Sequence, residues 1–221
     1  MSRRMTRSLV PLFTVLPMPL ALRTLLLFFM LCPAAANAAG KTILVFGDSL
    51  SAGYGLAISR GWVALLEEKL KRERIDYSVA NASVSGETSA GGRARIDAAL
   101  ERHRPSVVIV ELGGNDALRG LPIAQMKANL AAIAERSKKS GARVLLVGMR
   151  MPPNFGADYV AAFEKAFADV AKSEKVALVP FMLEGFGDDL GYFQPDRIHP
   201  NERAQPLMLD TIWPRLAPLL K

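Results

Sequence analysis

The chain has few of the side chains that hold soft metals or close disulfides. It contains one cysteine, Cys32, and two histidines, His103 and His199, in 221 residues. Cys32 lies in an N-terminal segment that reads as removable, so the part expected to fold is cysteine-free. This excludes thiol catalysis, thiolate metal sites and disulfides there, and it suits an exported protein. No G-x-x-x-x-G-K-[ST] or G-x-G-x-x-G pattern occurs, which removes the usual backbone cradles for nucleotide phosphates. No apolar run reaches the length of a membrane span, and no repeat or low-complexity linker divides the chain.

The N-terminal segment has its own logic. Arg3, Arg4, Arg7 and Arg23 precede the short apolar stretch Thr24–Leu31, and Ala36-Asn37-Ala38 offers an A-x-A cleavage site. That order predicts a signal peptide over residues 1–38, with a compact alternative start at Met18. Leu31 stands before Cys32 where a lipid-attachment site needs a small residue, so no lipid anchor is expected. Cleavage leaves residues 39–221 as a single domain in the periplasm or external medium. Four arginines and no acidic residue leave with the segment, so the net charge drops from +7 to +3. The basic excess is therefore largely a targeting feature, not a nucleic-acid footprint.

Short apolar runs then alternate with amphipathic stretches. Thr42–Phe46, Asp76–Ala80, Ser106–Leu112, Arg143–Val147 and Val176–Val179 read as strands, several of them apolar throughout. Such runs fit parallel strands buried on both faces. Between them, Trp62, Leu65, Leu66 and Leu70 form one helical stripe, and Met126, Leu130 and Ile133 a second. Val160, Phe163, Phe167 and Val170 form a third, and a last helix is expected over Gln205–Trp213 before Pro214 interrupts it. The pattern predicts an α/β protein: a three-layer α/β/α sandwich on a flavodoxin-like, five-stranded parallel sheet of order 2-1-3-4-5. Ligands in such sheets bind beyond the C-terminal ends of the strands.

Three turns fall at that edge. Gly47-Asp48-Ser49 follows the first strand, Asn81–Gly86 the second and Gly113-Gly114-Asn115-Asp116 the third. Late in the chain stands Asp196-Arg197-Ile198-His199. Ser49 as nucleophile, His199 as base and Asp196 as the acid orienting that base make up the set acyl transfer needs. His103 sits in the charged stretch Glu101–Arg104, a solvated helix end, which leaves His199 as the base. The amides of Ser49 and Gly86 and the side chain of Asn115 can supply an oxyanion hole. Leu118 and Leu121, after Asn115, and Met151, Pro152 and Phe155, after the fourth strand, are the candidate acyl-contacting residues. No cluster of His, Cys and carboxylates suggests a metal, and no cofactor is expected.

Gly47-Asp48-Ser49-Leu50, Gly86, Gly113-Gly114-Asn115-Asp116 and Asp196-Arg197-Ile198-His199 resemble, in order, the four sequence blocks of the SGNH (GDSL) hydrolases. Gly47–Tyr54, Glu111–Asp116 and Leu118-Arg119-Gly120 resemble in particular its bacterial periplasmic branch of acyl-CoA thioesterases, arylesterases and lysophospholipases. The likeness covers essentially residues 41–220. It implies the roles just given to Ser49, Asp196, His199, Gly86 and Asn115, and ester, thioester or lysolipid substrates, with no nucleic acid, no stable membrane anchor and a monomeric enzyme. Arg197 departs from the small residue common at its position, which bears on the rim of the site. The G-x-S-x-G elbow of α/β-hydrolases is absent, Ser51 taking the place of its last glycine. The competing readings are a flavodoxin-like anion binder, a non-catalytic lipid or glycan binder, and a polysaccharide O-deacetylase on the same fold.

Overall fold

The structure, a computed structural model, describes residues 41–221. The signal-peptide expectation for residues 1–38 lies outside the described residues.

Among the described residues, five strands form one parallel sheet: β1 (Lys41–Gly47), β2 (Tyr77–Asn81), β3 (Val107–Glu111), β4 (Arg143–Val147) and β5 (Ala177–Val179). Their order is β2-β1-β3-β4-β5, the flavodoxin-like order expected from the sequence. The register sets Ile43 of β1 between Val79 of β2 and Val107 of β3, and it ends with Gly47 beside Glu111. Seven α-helices of the described residues pack around the sheet: α1 (Ser49–Ala52), α2 (Trp62–Arg72), α3 (Ser89–His103), α4 (Gly114–Leu118), α5 (Ile123–Lys139), α6 (Ala157–Glu174) and α7 (Gln205–Leu216).

Side chains alternate across each strand, and this divides the core in two. Ile43, Val45, Val107, Ile109, Leu145 and Val147 face the layer of α2 and α7, where Trp62, Leu66, Leu70, Met208 and Ile212 are fully buried. Leu44, Phe46, Val108, Val110 and Leu146 face α3, α5 and α6, meeting Ile96, Leu130, Ile133, Phe163 and Phe167. Burial on both faces explains why these strands read as continuous apolar runs. At about 25 cal/mol per Å2, each such side chain contributes roughly 1.5–3 kcal/mol.

The last helix departs from the expectation at Pro214. The helix continues through it to Leu216 and tightens into a 3-10 turn over Ala217–Leu220. Proline removes the N–H that would bond to residue 210 four positions back. Asp210 and Pro214 are both exposed, so water reaches that side of the helix. On the opposite side Ile212 and Leu216 hold it to the sheet.

Candidate active site

Ser49 opens α1 immediately beyond the C-terminal end of β1. Asp48 caps this short helix, its Oδ1 accepting the Leu50 amide at 3.0 Å. The helix lasts one turn, ending at Gly53 in the left-handed conformation, φ 73°. Ser49 is thereby held with little freedom and only 9% exposed.

His199 and Asp196, the expected base and its acid, come from one small loop. The Arg197 amide bonds to the Gln194 carbonyl at 2.9 Å, closing a turn with Pro195 at its second position, and the Gln194 amide bonds to the His199 carbonyl at 2.8 Å. Inside the loop, Asp196 Oδ1 accepts the amides of Ile198 and His199 at 2.9 and 3.0 Å. Asp196 Oδ2 lies 2.7 Å from His199 Nδ1, and His199 Nε2 lies 2.9 Å from Ser49 Oγ. Desolvation raises the Asp196 pKa, but the two amides and the imidazole outweigh it and bring it to about 2. The carboxylate is thus an acceptor at neutral pH. It draws the imidazole proton to Nδ1 and leaves the Nε2 lone pair facing the serine hydroxyl. Arg197 adopts the left-handed conformation, φ 61°, which favours glycine over residues with a side chain.

The loop is fastened to the sheet layers by Gln205, which is buried at the start of α7. Its Oε1 accepts the Trp62 amide at 3.0 Å, and its Nε2 donates to the Asn201 carbonyl at 3.2 Å. Tyr54 covers His199 from the other side, with ring centroids 4.4 Å apart.

Asn115 stands in the first turn of α4, beyond β3, and donates one Nδ2 hydrogen to Asp48 Oδ2 at 2.8 Å. Its second amide hydrogen remains for a ligand. Gly86, in the turn after β2, has φ 78°, a conformation that favours glycine, and its carbonyl accepts from Arg119 at 2.7 Å. The turn is tied to α4 through Asp116, whose carboxylate accepts both the amide and the hydroxyl of Ser89 at 2.7 and 2.6 Å. Ser49, Asn115 and Gly86 thus follow β1, β3 and β2, adjacent strands of one edge.

A cavity of about 740 Å3 opens beside Ser49 and His199. Leu118, Met151 and Pro152 line it, together with Met149, Val160, Phe181, Leu183, Leu190 and Ile198, which the sequence pattern does not single out as lining. Leu121 and Phe155 are not among its lining residues. The Leu121 amide bonds to the Asp116 carbonyl in the turn that ends α4, and the Phe155 ring stacks on Tyr159. Arg150 and Arg197 bring positive charge to the wall; Arg150 is engaged by Glu164 and Glu184 at 3.2 and 3.8 Å and lies over the Phe181 ring. Among the described residues, no three His, Cys, Asp or Glu side chains converge as a metal site.

Two acids at the site go beyond the sequence reading. Asp48, flanking the serine, and Glu111, the last residue of β3, are both buried, at 2% and 0% exposure. Their one signal in the sequence is a charged residue closing a wholly apolar parallel strand shortly before Gly-Gly-Asn-Asp. His103, by contrast, ends α3 as expected.

The chain is similar to several known proteins. Residues 45–206 match the GDSL-like lipase/acylhydrolase family. Esterase TesA of Pseudomonas aeruginosa is 53% identical over 184 residues, 83% of this chain and 92% of that protein. The thioesterase 1/protease 1/lysophospholipase L1 of Escherichia coli is 43% identical over 183 residues, 83% of this chain and 86% of its own. The crystal structure of TesA matches with a TM-score of 0.80 at 52% identity, covering 81% of this chain and 99% of that one. The psychrotrophic esterase EstA from Pseudoalteromonas sp., in a structure inhibited by monoethylphosphonate, matches with a TM-score of 0.78 at 39% identity, covering 81% and 98%. The chain belongs to the GDSL-like lipase/acylhydrolase family.

Proposed function

We propose that the protein is a serine esterase that cleaves carboxylic esters and thioesters through an acyl-enzyme on Ser49. The observation that carries this reading is the unbroken line Asp196–His199–Ser49 opening on an apolar-walled cavity. His199 Nε2 takes the serine proton as Oγ attacks the substrate carbonyl. The Ser49 and Gly86 amides and the free Asn115 hydrogen receive the negative oxygen of the tetrahedral intermediate. His199 returns its proton to the departing alcohol or thiol, and water repeats the sequence to release the acid. Asp196 stays ionised and stabilises the imidazolium.

The relatives named esterase, arylesterase and thioesterase/lysophospholipase support aryl esters, acyl-CoA and lysophospholipid-type substrates. The cavity favours these over a polysaccharide O-acetyl group, because an acetyl group fills only a small part of about 740 Å3. Among the described residues no helix is long and apolar enough to cross a membrane. With removal of residues 1–38, the enzyme acts as a monomer in the periplasm or external medium.

Fluorophosphonate labelling tests the chemistry, because only an activated serine reacts. Wild type is expected to label at Ser49 and to lose nitrophenyl-ester hydrolysis on labelling. Ser49→Ala should fold, fail to label and lose activity by roughly 10,000-fold or more. Retention of more than about 1% of activity by Ser49→Ala would remove the serine from the mechanism.

A further inference from the structure

Directly beneath the proposed oxyanion hole lies a pair of buried carboxyl groups that the triad does not use. Gly47 on β1 stands in register with Glu111 on β3, and Asp48 is the next residue. Glu111 Oε2 accepts the Ser51 hydroxyl at 2.7 Å and the Asp48 amide at 3.3 Å. Glu111 Oε1 is buried, and no donor among the described residues faces it. On the far side, the Asp48 carboxylate spends Oδ1 on the Leu50 amide and Oδ2 on Asn115 Nδ2. The side chains of the two acids are themselves within hydrogen-bonding reach.

The surroundings leave room for this pair and for little else. A Cβ on Gly47 would lie 2.7 Å from Glu111 Oε2 and 2.8 Å from the Ser51 hydroxyl. The glycine before Asp48 is therefore needed because the Glu111 carboxyl and Ser51 fill the space a side chain would take. Among the described residues no lysine or arginine pairs with either acid; the charges that weigh most on them are each other and, on Asp48, His199. Two adjacent buried carboxylates cannot both be ionised at modest cost. A buried carboxyl oxygen without a donor is satisfied when the group carries its own proton.

We propose that Glu111 is a positioning residue of the hydrolytic site, a neutral carboxylic acid that donates its proton to the Asp48 carboxylate and so fixes Asp48 to aim the Asn115 amide. This rests on the serine-esterase reading above. Asp48 then has three donors in fixed directions: the Leu50 amide, which sets the nucleophile helix, the Asn115 amide, and Glu111. The shared proton keeps the pair at a single negative charge, so that charge beside the developing oxyanion is not doubled. Burial, then the charge of Asp48, push the Glu111 acid well above the usual carboxylate range, in the same direction.

The test uses the purified enzyme and Glu111→Gln and Glu111→Ala variants. Infrared spectra at neutral pH are expected to show the carbonyl stretch of a buried protonated acid in wild type and to lose it in Glu111→Gln. Glutamine keeps the shape, donates to Asp48 and accepts from Ser51. Its kcat on a nitrophenyl ester should stay within about threefold of wild type, and its activity plateau should extend further into alkaline pH, since an amide has no proton to lose. Glu111→Ala should lower kcat roughly 10- to 100-fold with KM little changed, the signature of a misaimed donor. Persistence of the band in Glu111→Gln, a kcat in that variant as low as in Glu111→Ala, or unchanged kcat in a folded Glu111→Ala would each overturn the proposal. If alanine is not tolerated, the glutamine variant alone decides it. The infrared band does not depend on catalysis, and fluorophosphonate labelling of wild type reports separately on the serine-esterase reading.

Discussion

Gln194 donates a side-chain amide hydrogen to the Tyr54 carbonyl at 2.7 Å, joining the loop that carries His199 to the loop that follows Ser49. The Tyr54 ring in turn lies against His199. Gln194→Ala should therefore loosen the imidazole without touching substrate. We expect kcat to fall roughly 10-fold with KM nearly constant, in steady-state hydrolysis of nitrophenyl esters. An equal rise in KM would mean that the residue serves binding instead.

Asn115 should behave differently from the triad residues. Its amide is held by Asp48, and in the proposed mechanism its remaining hydrogen meets charge that develops only in the transition state. Asn115→Ala should reduce kcat roughly 100- to 1,000-fold while KM moves little. Asn115→Asp should be worse, because it sets a carboxylate beside the developing oxyanion. Serine labelling at a normal rate in Asn115→Asp would contradict this, since phosphonylation passes through a similar charge distribution.

Stability should bend with pH in two directions. The Asp196 pKa is lowered to about 2 against an ordinary 3.8, so its contribution is present above about pH 4 and is lost as pH falls towards 2. Burial raises Asp48 from 3.8 to about 6, and burial and the Asp48 charge raise Glu111 well above its ordinary value; a folded state that holds these protons loses stability as pH climbs from about 4 through 6. The melting temperature should therefore peak in mild acid. In Glu111→Gln the decline on the alkaline side should shrink, so the variant gains on wild type as pH rises. Calorimetry across about pH 3–9 measures this, and parallel curves for the two proteins would refute it.

The cavity predicts a chain-length rule. Each methylene buried against Leu118, Val160 and Met151 should raise kcat/KM about fourfold until the space is filled. Val160→Phe should cut off the series at shorter chains and leave acetate esters unaffected. Leu121→Ala and Phe155→Ala, outside the lining, should leave the profile as it is. A series of nitrophenyl esters and acyl-CoAs distinguishes these outcomes.

Strands and core stripes are legible in the sequence because burial on both faces leaves a one-dimensional trace: Val107–Val110 and Val144–Val147 have apolar side chains in both layers. The three turns at the sheet edge are legible once the strand order is known, since Ser49, Gly86 and Asn115 each follow a strand. Glu111 is not, because the sequence does not say what faces a residue at a strand end. Its burial is decided by Ser51, 60 positions away, and by Asp48, 63 away. Pro214 misleads because helix interruption depends on whether the freed carbonyl meets water, which only packing determines. The wall of the cavity is half hidden for the same reason: Phe181, Leu183, Leu190 and Ile198 come from irregular segments after β5 that carry no periodic pattern.

The catalytic line is divided unevenly along the chain: Asp196 and His199 are three residues apart, whereas Ser49 is 150 residues before its base. A ribosome therefore makes the serine long before the residues placed to activate it. Through most of synthesis the serine is an ordinary alcohol, unable to attack the esters and thioesters around it. Hydrolysis requires the loop bearing both acid and base to be in place, where Gln205 secures it to the Trp62 amide. A chain that stops short of that loop keeps its serine and none of its chemistry.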